Sequence, residues 1–114
     1  MAARELVKMV YSYSESGKLS KDFATKDQLK RATLSVMNNI AEGFGRYSNK
    51  EFIRYLEISQ SSATEVLSIS YVLDDLDLIS KESVQEIRAK AHEVRIQTLA
   101  LIKYLKNKAA ISKP

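Results

Sequence analysis

Apolar residues recur at steps of three and four along most of the chain, the spacing that collects side chains on one face of an α-helix. Val84, Ile87, Ala91, Val94, Thr98, Leu101 and Leu105 form the cleanest run and predict a helix over 81–106 with Ser80 as its cap; the stripe reads as a bundle seam. Leu6, Val7, Val10 and Tyr13 predict a short first helix over 3–14, which stops in the polar stretch Glu15-Ser16-Gly17-Lys18. A second helix is predicted over 26–43, opened by Thr25 and Gln28 at capping-box spacing. Gly43 and Gly45 are expected to end it with a left-handed cap and a sharp reversal. Ser48 and Glu51 repeat the capping box and open a third helix over 49–77.

Composition agrees with this pattern. The only proline is the last residue and there are three glycines in 114, so little interrupts a helix, and an all-α fold follows. The length suits one domain, and short connections favour antiparallel neighbours, which predicts an up-down-up-down four-helix bundle. The absence of cysteine excludes disulfide and thiolate chemistry, and the lone His92, expected on the surface, cannot build a histidine-rich metal site; no cofactor is implied. No segment approaches the roughly 20 consecutive apolar residues of a membrane span, so a cytoplasmic protein without a membrane partner is the default expectation.

The apolar arcs exceed what one bundle needs. Helix two carries Leu29, Ala32, Leu34, Val36, Met37, Ile40, Ala41 and Phe44 over about 200°, twice the stripe of an ordinary surface helix. Helix three has Phe52, Ile53, Leu56, Ala63 and Leu67 on one flank, with Tyr55, Ile58, Ile69, Val72, Leu73 and Leu76 on the other. Ser59, Ser62, Ala63 and Ser70 interrupt these flanks and would let another helix approach closely. A first helix of ~18 Å cannot cover a third of ~43 Å. Association of identical chains is the economical reading, against a bundle that absorbs the wide arcs internally.

Among polar positions, Arg31, Ser35, Asn38, Asn39 and Glu42 share the face of helix two opposite its apolar arc, as a solvated face or as an interchain polar contact. Glu65 lies at the border of the apolar arc of helix three, with Arg31 as a partner that would lock helix register or a subunit contact. No second acid or histidine accompanies Glu42, so an enzyme is not expected. Antiparallel topology would gather Arg4, Lys8, Arg46, Lys50, Arg54, Lys103, Lys106, Lys108 and Lys113 at one end. Glu15, Asp22, Asp27, Asp74, Asp75, Asp77, Glu82 and Glu86 would lie at the other, partly offset by lysines. Arg46, Tyr47, Lys50 and Arg54 surround the start of helix three, where free amides favour phosphate. Those lysines either complement a helix dipole and keep the chain soluble, or contact a polyanion; Tyr55, Tyr71 and Tyr104 read as packing or interface aromatics.

The segments Gln28-Leu29, Arg31-Ala32, Ser35-Val36 and Asn39-Ile40-Ala41-Glu42-Gly43, followed by Lys50-Glu51-Phe52-Ile53-Arg54-Tyr55-Leu56 and Ser61-Ser62-Ala63-Thr64-Glu65-Val66, resemble the signature of a bacterial family. That family is the four-helix-bundle 23S rRNA intervening-sequence proteins, or S23 family. Ser61-Ser62 departs from the usual Gly-Ser, and the chain opens inside what the resemblance implies is the first helix. The resemblance implies a ring of copies, a pentamer, and a kinship with accessory proteins of diversity-generating retroelements, hence a reverse transcriptase or nucleoprotein as partner. The expectation is a noncatalytic oligomeric module contacting RNA or DNA through Arg46, Tyr47, Lys50, Arg54, Lys103 and Lys106. Its interface would include Arg31, Asn39, Glu42, Tyr55, Ile58, Ser62, Glu65 and Ile69. The alternative is a protein–protein scaffold that binds no nucleic acid.

Overall fold

A computed structural model of the chain describes residues 1–112, with side chains described through Lys108. It has four helices, α1 Ala2–Tyr13, α2 Phe23–Phe44, α3 Asn49–Asp75 and α4 Lys81–Ser112, with a 3₁₀ turn at Leu19–Lys21 between α1 and α2. No strand occurs among the described residues. The body measures 57 × 20 × 19 Å, and its length follows from the 32 residues of α4, about 48 Å at 1.5 Å per residue.

The caps explain the boundaries. Asp22, not Thr25, caps α2: its carboxylate accepts the Thr25 amide at 3.1 Å. The helix therefore starts at Phe23, nearly a turn before the expected position, because an aspartate at the end of the 3₁₀ turn serves an orphan amide at least as well as a threonine. Ser48 accepts the Glu51 amide at 3.2 Å and Ser80 the Ser83 amide at 3.1 Å, as their spacing predicts. α3 ends earlier than expected, at Asp75. There the Leu78 amide donates to the Leu73 carbonyl at 3.0 Å and the Asp77 amide to the Asp74 carbonyl at 3.1 Å, while Asp77 takes φ 53°. This is a Schellman closure with aspartate where glycine is usual, and Leu73 and Leu78 are buried across it.

The expectation for Gly43 is overturned. Among the glycines only Gly17 has positive φ; Gly43 is helical and Gly45, the C-cap, has φ −83°. Gly43 is needed for close approach instead: a Cβ there would lie 2.7 Å from Phe52 Cδ1 and 3.3 Å from Tyr55 Cβ.

α1 packs against α2 and α4, α2 against α3, and α3 against α4, so each helix has two neighbours around a shared core. Leu6, Val10, Leu29, Val36, Val66, Leu73, Val84 and Ile87 are fully enclosed there, and each contributes about 1.5–3 kcal/mol through burial. A second cluster, Leu56, Ile102 and Leu105, lies farther along the rod. Polar ties cross between helices at matching levels. The Tyr13 hydroxyl donates to the Glu86 carboxylate, and this bond raises the pKa of the phenol. Lys90 binds Glu5 at 2.7 Å and Glu93 at 2.8 Å. The hydrogen bond with Glu5, then that with Glu93, push the ammonium up to about 12, and the Glu5 carboxyl is lowered by the same bond with Lys90. Gln60 Nε2 donates to the Arg95 carbonyl at 3.0 Å, and Arg88 Nε to Ser70 Oγ at 2.9 Å.

Candidate functional site

Two surfaces carry the residues singled out by the sequence. The first is the outer seam between α2 and α3. Along α3, Tyr55, Ile58, Ser62, Glu65, Ile69, Val72 and Leu76 follow one another at alternating steps of three and four, which places them on one stripe. Ile58 and Val72 are each 39 % exposed and Leu76 56 %, while Ile69 is half-buried. At one level of the seam an open cavity of 240 Å³ lies among Ala24, Thr25, Gln28, Ile69 and Val72.

The small residues of α3 serve a different neighbour from the one expected. Ser59, Ser62, Ala63 and Ser70 are buried within the chain's own bundle. Ser59 donates to the Val36 carbonyl at 2.8 Å, and the Ser62 and Ser35 hydroxyls meet at 2.7 Å. Close approach at Ser59 and Ser62 is thus between α3 and α2 of the same chain, while Ser70 meets Arg88 of α4. Ser35 and Asn39 accordingly do not belong to a solvated face: both are half-buried, and Asn39 Nδ2 donates to the Ser35 carbonyl at 2.8 Å. Arg31 and Glu65 are exposed and form no ion pair with each other among the described residues, so they lock no register within the chain. Leu73, expected on the outer flank, is fully buried.

The second surface lies around the turn between α2 and α3. Arg46 Nη2 donates to Glu42 at 3.0 Å and to the Tyr55 hydroxyl at 2.8 Å, and its guanidinium lies 4.7 Å from the centre of the Tyr55 ring. Arg46 is thereby engaged inside its own chain, and it joins the two surfaces. Tyr47 is fully exposed. Lys50 and Arg54 project from the first two turns of α3, and Lys103 from α4, all exposed and with no ion pair among the described residues. Lys106 is exposed and lies 3.7 Å from Glu57. Arg4 and Lys8 are exposed on α1, and Lys113 lies outside the described residues. Among the carboxylates expected opposite, Asp74 pairs with Arg88 at 3.6 Å and Asp22 is spent on its cap. No cluster of three or more metal-ligating side chains occurs among the described residues. Nor is any of their helices long and apolar enough to cross a membrane.

The family model described as 23S rRNA-intervening sequence protein matches residues 1–99. The chain belongs to that family. A crystal structure of a protein of unknown function from the S23 ribosomal protein family of Bacteroides thetaiotaomicron is 25% identical, with a TM-score of 0.81 over 90% of this chain and 95% of that one. No curated protein matches.

In this member of the 23S rRNA-intervening sequence family, Asn39-Ile40-Ala41-Glu42-Gly43 has structural work at four positions. Asn39 ties to Ser35, Ile40 packs against both core clusters, Glu42 holds Arg46, and Gly43 admits Phe52. Sequence reasoning missed Ile96 and Leu99, which are 69 % and 50 % exposed on the outer side of α4. Their signal was present: both stand off the seam run 84, 87, 91, 94, 98.

Proposed function

We propose that this chain is a noncatalytic, cytoplasmic binding module that assembles with copies of itself and contacts RNA or DNA through its basic end. Its helices would run up-down-up-down; the pairings Glu5–Lys90, Ser35–Ser62, Gln60–Arg95 and Glu57–Lys106 favour that course. The observation that carries the nucleic-acid reading is that Lys50, Arg54 and Lys103 are exposed and form no ion pair among the described residues, while the Tyr47 ring is fully exposed. Cations of that kind replace counterions on a phosphate backbone, and the ring offers a face for an unstacked base. A connection of the family with 23S rRNA, carried in its description, points the same way.

Assembly would use the α2–α3 seam. Ile58, Val72 and Leu76 are apolar and exposed there, and Arg31 and Glu65 are left to pair between copies. The family resemblance favours a pentameric ring, and a nucleic-acid enzyme such as a reverse transcriptase as a further partner. A scaffold without nucleic-acid binding is the second reading. It is favoured by Arg46 and Lys106, two of the expected phosphate contacts, which already have carboxylate partners in the chain.

Replacing Lys50, Arg54 and Lys103 together with Glu separates the readings. Binding to mixed cellular RNA should fall by at least about tenfold at low salt, and helicity should be kept because all three side chains are exposed. A folded triple variant that binds as the parent does rejects the nucleic-acid reading. Salt-insensitive capture of one protein would favour the scaffold.

A further inference from the structure

α4 presents a second apolar surface, separate from the seam. One flank of α4 meets α1, where Lys90 holds Glu5, and the other meets α3, where the Arg95 carbonyl accepts from Gln60 and Lys106 lies 3.7 Å from Glu57. On the outer side between those flanks stand Ala89, His92, Ile96, Leu99 and Ala100, all exposed, at the three- and four-residue steps of one helix face. Ile96 and Leu99 make this face an apolar ridge with small neighbours at both ends. Neighbouring apolar side chains of that size on the outside of a bundle mark a contact.

The seam complements this ridge in shape and in charge. It is a groove between two helices, opened further by the cavity beside Ile69 and Val72, and the ridge of one helix packs into such a groove. The contacts Gly43–Phe52, Val36–Ser59 and Ser35–Ser62, and the cavity shared by Gln28 and Ile69, follow one another in opposite order along α2 and α3. Arg31 therefore stands level with Glu65. The ridge carries His92, and beside it Glu93, whose carboxylate also binds Lys90. An α4 laid in the groove against the course of α3 sets His92 at Glu65 and Glu93 at Arg31. In that register Leu99, seven residues beyond His92, reaches Ile58, seven residues before Glu65, and Ile96 falls on the small side chains of Ser35 and Ser62. Two seams face to face would leave Ile96 and Leu99 uncovered. Two ridges paired about the midpoint of Ile96 and Leu99 would set Lys103 against His92.

We propose that the outer face of α4 docks into the α2–α3 seam of a second copy, so that each copy gives one surface and receives on the other. The inference rests on the seam reading of assembly and names what the seam takes: the ridge Ala89–Ala100 of the next chain, with Leu99 on Ile58 and His92 on Glu65.

Native mass of two variants of the full chain provides the test. The seam variant carries Ile58→Glu and Val72→Glu, the ridge variant Ile96→Glu and Leu99→Glu; all four side chains are exposed, and circular dichroism checks that helicity is kept. Each variant alone should be a single chain of 12.9 kDa. An equal mixture should pair one seam variant with one ridge variant, because each keeps the surface that the other has lost. A charge exchange probes the contact without touching its apolar residues: Glu65→Arg should weaken association at least about tenfold, and His92→Glu in the same chain should recover most of that loss. A ridge variant that keeps the wild-type mass beside a single-chain seam variant overturns this inference and leaves the seam standing. Wild-type mass in both variants overturns the seam as well. Two folded single-chain variants that do not pair when mixed, or a charge exchange without recovery, also overturn the inference.

Discussion

Gly43 is glycine because Phe52 and Tyr55 fill the space a side chain would need. Gly43→Ala gains about 1 kcal/mol of helix propensity but overpacks the α2–α3 contact by about 1–3 kcal/mol. Because the nearest atoms are a ring carbon and a Cβ rather than a flexible tip, a net loss of about 1 kcal/mol is expected in urea unfolding. An unchanged or raised midpoint would refute the close-approach account. At Asp77 the opposite sign is expected. The residue closes α3 in the left-handed region, and Asp77→Gly should stabilise the chain by about 1 kcal/mol. Neither role was legible from residue type: glycine at a helix end suggests a left-handed cap, and only the approach of α3 reveals that Gly43 stays helical. Aspartate at a left-handed position has no dependable sequence mark.

At the scale of elements, the three- and four-residue spacing located all four helices, and Ser48 and Ser80 were readable as caps because each precedes a long periodic run. The start of α2 was misread because Asp22 and Thr25 both offer capping oxygens, and the 3₁₀ turn that delivers Asp22 leaves no periodic signal. Small residues on α3 announced a close neighbour without saying which helix it was. α2 supplies it for Ser59 and Ser62, so the proposed assembly seam is left with what remains exposed, chiefly Ile58, Val72 and Leu76. Ile58→Glu with Val72→Glu should weaken self-association and keep helicity, whereas Ser59→Leu should destabilise the fold itself by about 1–3 kcal/mol. The pair Glu5–Lys90 ties α1 to α4 and gives a pH signature. The folded carboxyl of Glu5 is lowered from 4.5, so its stabilisation is present above that value and is lost as pH falls through the folded pKa. Lys90→Met should therefore flatten the loss of stability below pH 4.5, read by urea midpoints across pH.

Over the whole molecule, the proposed function uses an apolar seam and a set of exposed cations, and Arg46 lies beside both with one hydrogen bond to Glu42 and another to Tyr55. That Lys50, Arg54 and Lys103 are exposed was legible in the sequence, because each lies off the apolar stripe of its helix. The engagement of Arg46 and Lys106 was not, since it depends on which carboxylate lies a few ångströms away. The measurement that tests the account most directly is the native mass of the wild-type chain in solution, taken with added RNA at about 50 mM and again at about 200 mM salt. The account predicts a multiple of 12.9 kDa that gains the mass of RNA at the lower salt and loses most of it at the higher. A mass of 12.9 kDa at micromolar concentration, or an assembly that takes up no RNA at either salt, would contradict it.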